Sequence, residues 1–160
     1  MKKLLIALML STCTLFSFDK VSIGYSTTSY DSNIYDLSLI TDTNYKLFSL
    51  PVSLELAFDY IDSTNNSDEL FISSFQPVIT YDFNKYFFIQ GALGFAYLSD
   101  KSFEDRKFGT NFQFKQSVIF GYNINKHLST TLRYNHISNA DLDDNNSGLD
   151  IFGLNLIYKF

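Results

Sequence analysis

Between Arg133 and Asp150 the chain reads RYNHISNADLDDNNSGLD. His136 stands two positions before Ser138, and Asp150 follows twelve positions after that serine. A hydroxyl, an imidazole and a carboxylate are what nucleophilic acyl transfer uses. The serine attacks a carbonyl, the histidine takes the serine's proton, and the carboxylate fixes the imidazole's tautomer. The same residues also suit a polar strand end that leads into a surface loop, with Asp150 marking where the next strand begins. The choice depends on the elements that carry the three side chains. The chain's other histidine, His127, abuts the short turn NINKH and reads as a turn residue.

Those elements have a period of two. In LFSLPVSLELAFDY (47–60), Phe48, Leu50, Val52, Leu54, Leu56, Phe58 and Tyr60 fall on one face. Ser49, Pro51, Ser53, Glu55, Ala57 and Asp59 fall on the other. The last segment repeats the pattern, with Phe152, Leu154, Leu156, Tyr158 and Phe160 opposite Gly153, Asn155 and Lys159. Such alternation belongs to strands with one apolar and one polar face. The pattern predicts eight strands, near 19–30, 34–42, 46–61, 69–83, 85–98, 110–122, 127–138 and 148–160. Short turns are expected at 41–45, 82–86 and 123–127, and longer polar loops at 62–68, 99–109 and 139–147. Aromatics make up 18% of the chain, yet mean hydropathy is only -0.02, so apolar residues are interleaved with polar ones rather than segregated.

The start, MKKLLIALMLSTCTLFSFDK, has two lysines, a short apolar run and small polar residues. It has the form of a secretory signal peptide over 1–18, cleaved near Ser17, ahead of a domain over 19–160. The single cysteine, Cys13, lies inside it, which excludes a disulfide-stapled mature fold. A net charge of -5 and a pI of about 4.8 give no basic footprint, so no nucleic-acid partner is expected. The acidic stretches at 62–69 and 139–147 read as solvated loops.

Two architectures satisfy eight alternating strands. A soluble barrel or sandwich turns its apolar face inward, and a transmembrane barrel turns it outward to lipid. The leader, the tyrosines at strand ends (Tyr60, Tyr81, Tyr97, Tyr122, Tyr158) and the terminal Phe160 favour the membrane form. So do Glu55, Asp59, Lys115 and Arg133 in mid-strand, which an apolar core tolerates poorly. The expected fold is therefore an all-β, eight-stranded antiparallel transmembrane β-barrel in an outer membrane. Side chains fill the interior of a barrel this small, so no diffusion pore is expected. By parity, Ser129, Thr131, Arg133 and Asn135 face the lumen, whereas Leu128, Thr130, Leu132 and Tyr134 face lipid. His136 and Ser138 continue the lipid-facing set, and Asp150 shares that side of the next strand with Phe152. Adjacent strands lie about 5 Å apart, so the three side chains can meet on the outer wall.

HISNA followed by NSGLD resembles the signature of the PagL family of outer-membrane lipid A 3-O-deacylases, through His136, Ser138, Asn139, Ala140, Asn146, Gly148 and Asp150. The motif covers residues 133–160, and the rest of the likeness is architectural. The resemblance implies a serine carboxylic-ester hydrolase that removes the acyl chain at the 3 position of lipid A. Ser138 would be the nucleophile, His136 the general base, Asp150 the third member, and Asn139 a donor to the oxyanion. No metal or cofactor is implied. The implied partners are lipopolysaccharide and outer-membrane lipid, and a homodimer is compatible with the barrel form. Lys101, Arg106 and Lys107 are candidates for meeting lipid A phosphates. The alternative is a non-enzymatic barrel, structural or adhesive. The chain departs from the family's pattern twice. Asp150 replaces a more usual Glu, and Asp141 stands where the family has a Gly whose N–H assists the oxyanion. Asp enters left-handed backbone less easily than Gly, and its charge disfavours an oxyanion.

Overall fold

The alternating segments do form strands, and they close on one another. The computed structural model describes residues 18–28, 32–62 and 69–160. The expected signal peptide lies outside the described residues except for Phe18, as does most of the acidic loop 62–69. The strands are β1 (Lys20–Thr28), β2 (Asn33–Leu47), β3 (Leu50–Asp62), β4 (Glu69–Asp82), β5 (Phe87–Leu98), β6 (Ser102–Phe103), β7 (Arg106–Lys107), β8 (Phe112–Asn123), β9 (Leu128–Ser138) and β10 (Leu149–Lys159). Eight of them make a closed barrel in the order β1-β10-β9-β8-β5-β4-β3-β2. The ends of the chain meet where β1 pairs antiparallel with β10. Closure removes every free edge, which lets an antiparallel sheet lie in lipid.

Side-chain direction follows the parity read from the sequence. Leu54, Phe58, Phe75, Leu93, Phe95, Phe120, Leu132, Phe152 and Leu154 stand exposed on the outer wall. Glu55, Asp59, Lys115, Arg133, Asn135 and Asn155 are buried inside. The two Nη atoms of Arg133 donate to the two carboxylate oxygens of Glu55 at 2.6 and 2.7 Å. Lys115 Nζ lies 3.3 Å from Asp59 and also donates to Ser74. Gln76 donates to Glu55, and the Ser117 hydroxyl lies 2.7 Å from the side-chain oxygen of Asn135, to which it donates, and 3.1 Å from that of Gln76. A network of paired charged and polar groups thus crosses the middle of the lumen.

Two features differ from the sequence expectation. The turn expected at 41–45 is a strand irregularity, where the β2–β3 register shifts between Asp42 and Lys46. The chain reverses instead at Phe48 and Ser49, both at positive φ (51° and 67°). Positive φ at both central residues defines a type I′ turn, whose twist matches the strands it joins. TDTNY has turn composition, but Thr43 Oγ1 donates to the Val52 carbonyl and holds the irregular segment against β3.

The second difference is at the opposite end, which carries the longer connections. Here the inward-facing residues turn apolar: Ile34, Ile61, Leu70, Ile72, Leu98, Ile137, Leu149 and Ile151 form one buried cluster. Phe103 and Phe108 join it from the connection between β5 and β8. That connection, expected to be a polar loop, folds as the small β6–β7 hairpin and plugs the mouth of the barrel. Burying each large side chain contributes about 1.5–3 kcal/mol. Three of the buried residues (Ile137, Leu149 and Ile151) alternate along the strands with the outward candidates His136, Ser138 and Asp150. The plug therefore anchors those strand ends from behind.

Candidate active site

The site is built on the outer wall where β9 and β10 reach the plugged end. Their register pairs His136 with Asp150 directly and Ile137 with Leu149. His136 Nδ1 lies 2.8 Å from Asp150 Oδ1, with both side chains part-exposed. With the carboxylate on Nδ1, the imidazole is held in the tautomer that leaves Nε2 able to accept a proton. The same Asp150 oxygen accepts a second hydrogen bond, at 2.8 Å, from the hydroxyl of Tyr134. Tyr134 was not among the sequence candidates. The strand pattern gives it only a place on the lipid face, and its contact needs the diagonal reach across to β10.

Ser138 lies on the same outward face as His136, two positions nearer the plugged end. That is about 6.6 Å along a strand. Its hydroxyl makes no hydrogen bond among the described residues, so the structure does not join it to His136. A Cβ placed on Gly148, one step beyond the Leu149–Ile137 pair, would stand 3.4 Å from His136 Cε1 and 4.0 Å from Nε2. The far edge of the ring therefore lies close to Gly148, just ahead of β10. Gly148 itself has φ +59°, a left-handed conformation that L side chains adopt at a cost.

Residues 139–148 shape the other side of the site. Leu142 N–H donates to the Asn139 carbonyl at 3.2 Å, closing a turn in which Ala140 (φ 53°) and Asp141 (φ 62°) are both left-handed. Asp141 therefore adopts the backbone that the family's Gly would favour. The amides of Ala140 and Asp141 donate to nothing among the described residues. Asn139 has a different place from the one its motif position implied. Its side chain is fully buried, and its Nδ2 donates to the carbonyls of Phe108 and Asn145 at 2.9 and 2.8 Å. Its backbone N–H donates to Asn146 Oδ1. With both amide hydrogens committed, its carboxamide holds the loop and has none left for an oxyanion. Asn146 completes the brace by donating to Asp141 Oδ1 at 2.9 Å.

The β6–β7 hairpin clamps this loop from the side. Ser147 N–H donates to the Lys107 carbonyl, Lys107 N–H donates to Ser147 Oγ, and Arg106 donates to the Gly148 carbonyl. Gly109 (φ +73°) is required where the two segments touch, because a Cβ would come within 2.5 Å of the Asn145 carbonyl oxygen. His127 lies at the opposite end, beside the Lys159 carbonyl and stacked on Tyr158, far from this chemistry.

The family described as Lipid A 3-O-deacylase (PagL) matches residues 24–159. The lipid A deacylase PagL of Bordetella bronchiseptica is 26% identical over 143 residues, covering 89% of this chain and 77% of that protein. A crystal structure of the outer membrane enzyme PagL superposes with a TM-score of 0.77 at 22% identity, over 88% of this chain and 99% of that one. The barrel alone is shared more widely. Ail of Yersinia pestis superposes at a TM-score of 0.56 with 16% identity, over 88% of this chain and 97% of its own.

Proposed function

The chain belongs to the PagL family of lipid A 3-O-deacylases, and from that premise we propose that it hydrolyses the 3-O-acyl ester of lipid A in the outer leaflet of the outer membrane, with Ser138 as nucleophile. The observation that carries this reading is the His136–Asp150 contact on the lipid-facing wall, with Ser138 on the same face at the plugged end. An acyl chain of a neighbouring lipid reaches that wall without leaving the membrane. A purely structural barrel would gain nothing from these groups, because ionisable side chains on a lipid face are costly.

The steps follow from the groups present. Ser138 Oγ attacks the ester carbonyl while His136 Nε2 takes its proton. Asp150 stabilises the imidazolium, and the Tyr134 hydroxyl helps hold the carboxylate in place. The unengaged amides of Ala140 and Asp141 are the donors for the oxyanion, in place of the Asn139 side chain. The imidazolium returns its proton to the sugar 3-oxygen as that group leaves. Water, activated by the same imidazole, then releases the chain as a free fatty acid and restores Ser138. Lys101 and Lys107 are exposed in the connection between β5 and β8, which supports a role for them in meeting the phosphates of the substrate.

Mass spectrometry of lipid A from cells expressing the chain tests the proposal. Wild type should remove the mass of one hydroxyacyl chain, and Ser138→Ala should lower the rate about 1,000-fold or more. The same mass loss at an undiminished rate in the alanine variant would exclude Ser138 as nucleophile.

A further inference from the structure

The outward face of β8 consists of Phe112, Phe114, Val118, Phe120 and Tyr122, with one polar exception, Gln116. Gln116 is exposed on that wall and forms no hydrogen bond with any described residue. A hydroxyl at such a place can turn back to its own backbone. A carboxamide has two donors and an acceptor to satisfy, and on a lipid-facing surface their loss of water is uncompensated.

Its position is not arbitrary. Gln116 is the register partner of His136 on β8, as Asp150 is on β10. Gln116, His136 and Asp150 thus form one row across three adjacent strands, with neighbours about 5 Å apart. One row nearer the plugged end, Phe114 is the register partner of Ser138 and packs against Phe95 and Phe112. With its ester at Ser138 and its sugar at the membrane surface, a substrate sends its acyl chain inward along this wall. The first carbons beyond the carbonyl then pass between the Phe114 row and the Gln116 row. A plain hydrocarbon there offers Gln116 nothing. A hydroxyl two carbons from the carbonyl offers both a donor and an acceptor, which one carboxamide matches.

We propose that Gln116 is a substrate-selecting residue that recognises the hydroxyl of a 3-hydroxyacyl ester, so that the enzyme prefers such chains to unsubstituted ones of equal length. The inference rests on Ser138 being the nucleophile, and the experiment separates the two. The full barrel is folded in detergent micelles, with heat-modifiable migration as the check on folding. Hydrolysis is then measured on two glucosamine 3-O-esters, 3-hydroxytetradecanoyl and tetradecanoyl, for wild type, Gln116→Met and Ser138→Ala. Methionine keeps the length and removes the amide.

The wild type should favour the hydroxyacyl ester by about tenfold or more in kcat/KM, and Gln116→Met should bring that ratio close to one. A wild-type ratio near one overturns the inference. So does a ratio that Gln116→Met leaves unchanged, because an equal loss on both esters would make Gln116 a support for the wall or for His136. If Ser138→Ala abolishes hydrolysis while the ratio fails to move, selection by Gln116 alone is wrong. If the wild type cleaves neither ester, or Ser138→Ala cleaves both undiminished, the nucleophile assignment falls and this inference with it.

Discussion

Glu55 with Arg133 in the lumen and His136 with Asp150 on the outer wall each set a carboxylate against a nitrogen donor, the first pair buried and the second part-exposed, and they are finished differently. Glu55 accepts from two Arg133 nitrogens and from Gln76, and the network continues through Lys115, Asp59, Ser74 and Ser117. On the wall, the far nitrogen of His136, the hydroxyl of Ser138, the carboxamide of Gln116 and the amides of Ala140 and Asp141 have no hydrogen-bond partner among the described residues. A polar set whose charged groups are paired with one another holds a fold together. A set that leaves its hydrogen-bonding capacity facing the lipid is complete only when a substrate arrives.

The largest effect that would sharpen this contrast comes from breaking the inner pair. Glu55→Ala leaves Arg133 charged and nine-tenths buried or more, and removing one partner of such a pair costs about 3–5 kcal/mol. Urea unfolding in micelles should show that loss, while protein that does fold keeps its activity on lipid A. Asp150→Asn is the mirror case. The part-exposed carboxylate contributes little to stability, so the unfolding midpoint should barely move. Hydrolysis should slow about 100-fold, because an amide can neither select the tautomer nor offset the imidazolium. If Asp150→Asn unfolds the barrel, or Glu55→Ala abolishes catalysis without destabilising it, the division into a structural interior and a working exterior fails.

The same contrast explains what could be read from the sequence. A membrane barrel sets apolar residues against lipid and polar ones inside, so strict alternation announced strands, faces and the shared side of His136, Ser138 and Asp150. Parity says nothing about which residue stands opposite which across a strand pair. Tyr134 and Gln116 were therefore invisible as site residues, although both lay in plain strands. The plug was hidden for a related reason. Phe103 and Phe108 sit in a charged connection, and Ile137, Leu149 and Ile151 look like ordinary luminal positions until the hairpin folds over them. Asn139 was misplaced because a motif position cannot show that an amide's hydrogens are already committed to Phe108 and Asn145.

The smallest effect is expected at Asp141, where the two modes of use meet in one residue. Its left-handed backbone leaves an N–H without a partner among the described residues, while its carboxylate accepts from Asn146 and braces the loop. Its negative charge beside a developing oxyanion should slow the reaction, and the brace should help it. Asp141→Asn removes the charge, keeps an acceptor for Asn146, and tolerates positive φ, so kcat should rise a few-fold. Asp141→Gly removes the charge and relaxes the backbone but loses the brace, so its gain should be smaller or absent. Kinetics of the two variants on one lipid A preparation order these contributions. A glycine variant faster than the asparagine variant would mean that backbone strain, and not the charge or the brace, limits the loop. A fall in kcat for Asp141→Asn would mean that the carboxylate itself serves the reaction, and the oxyanion would then have to lie on the other side of Ser138.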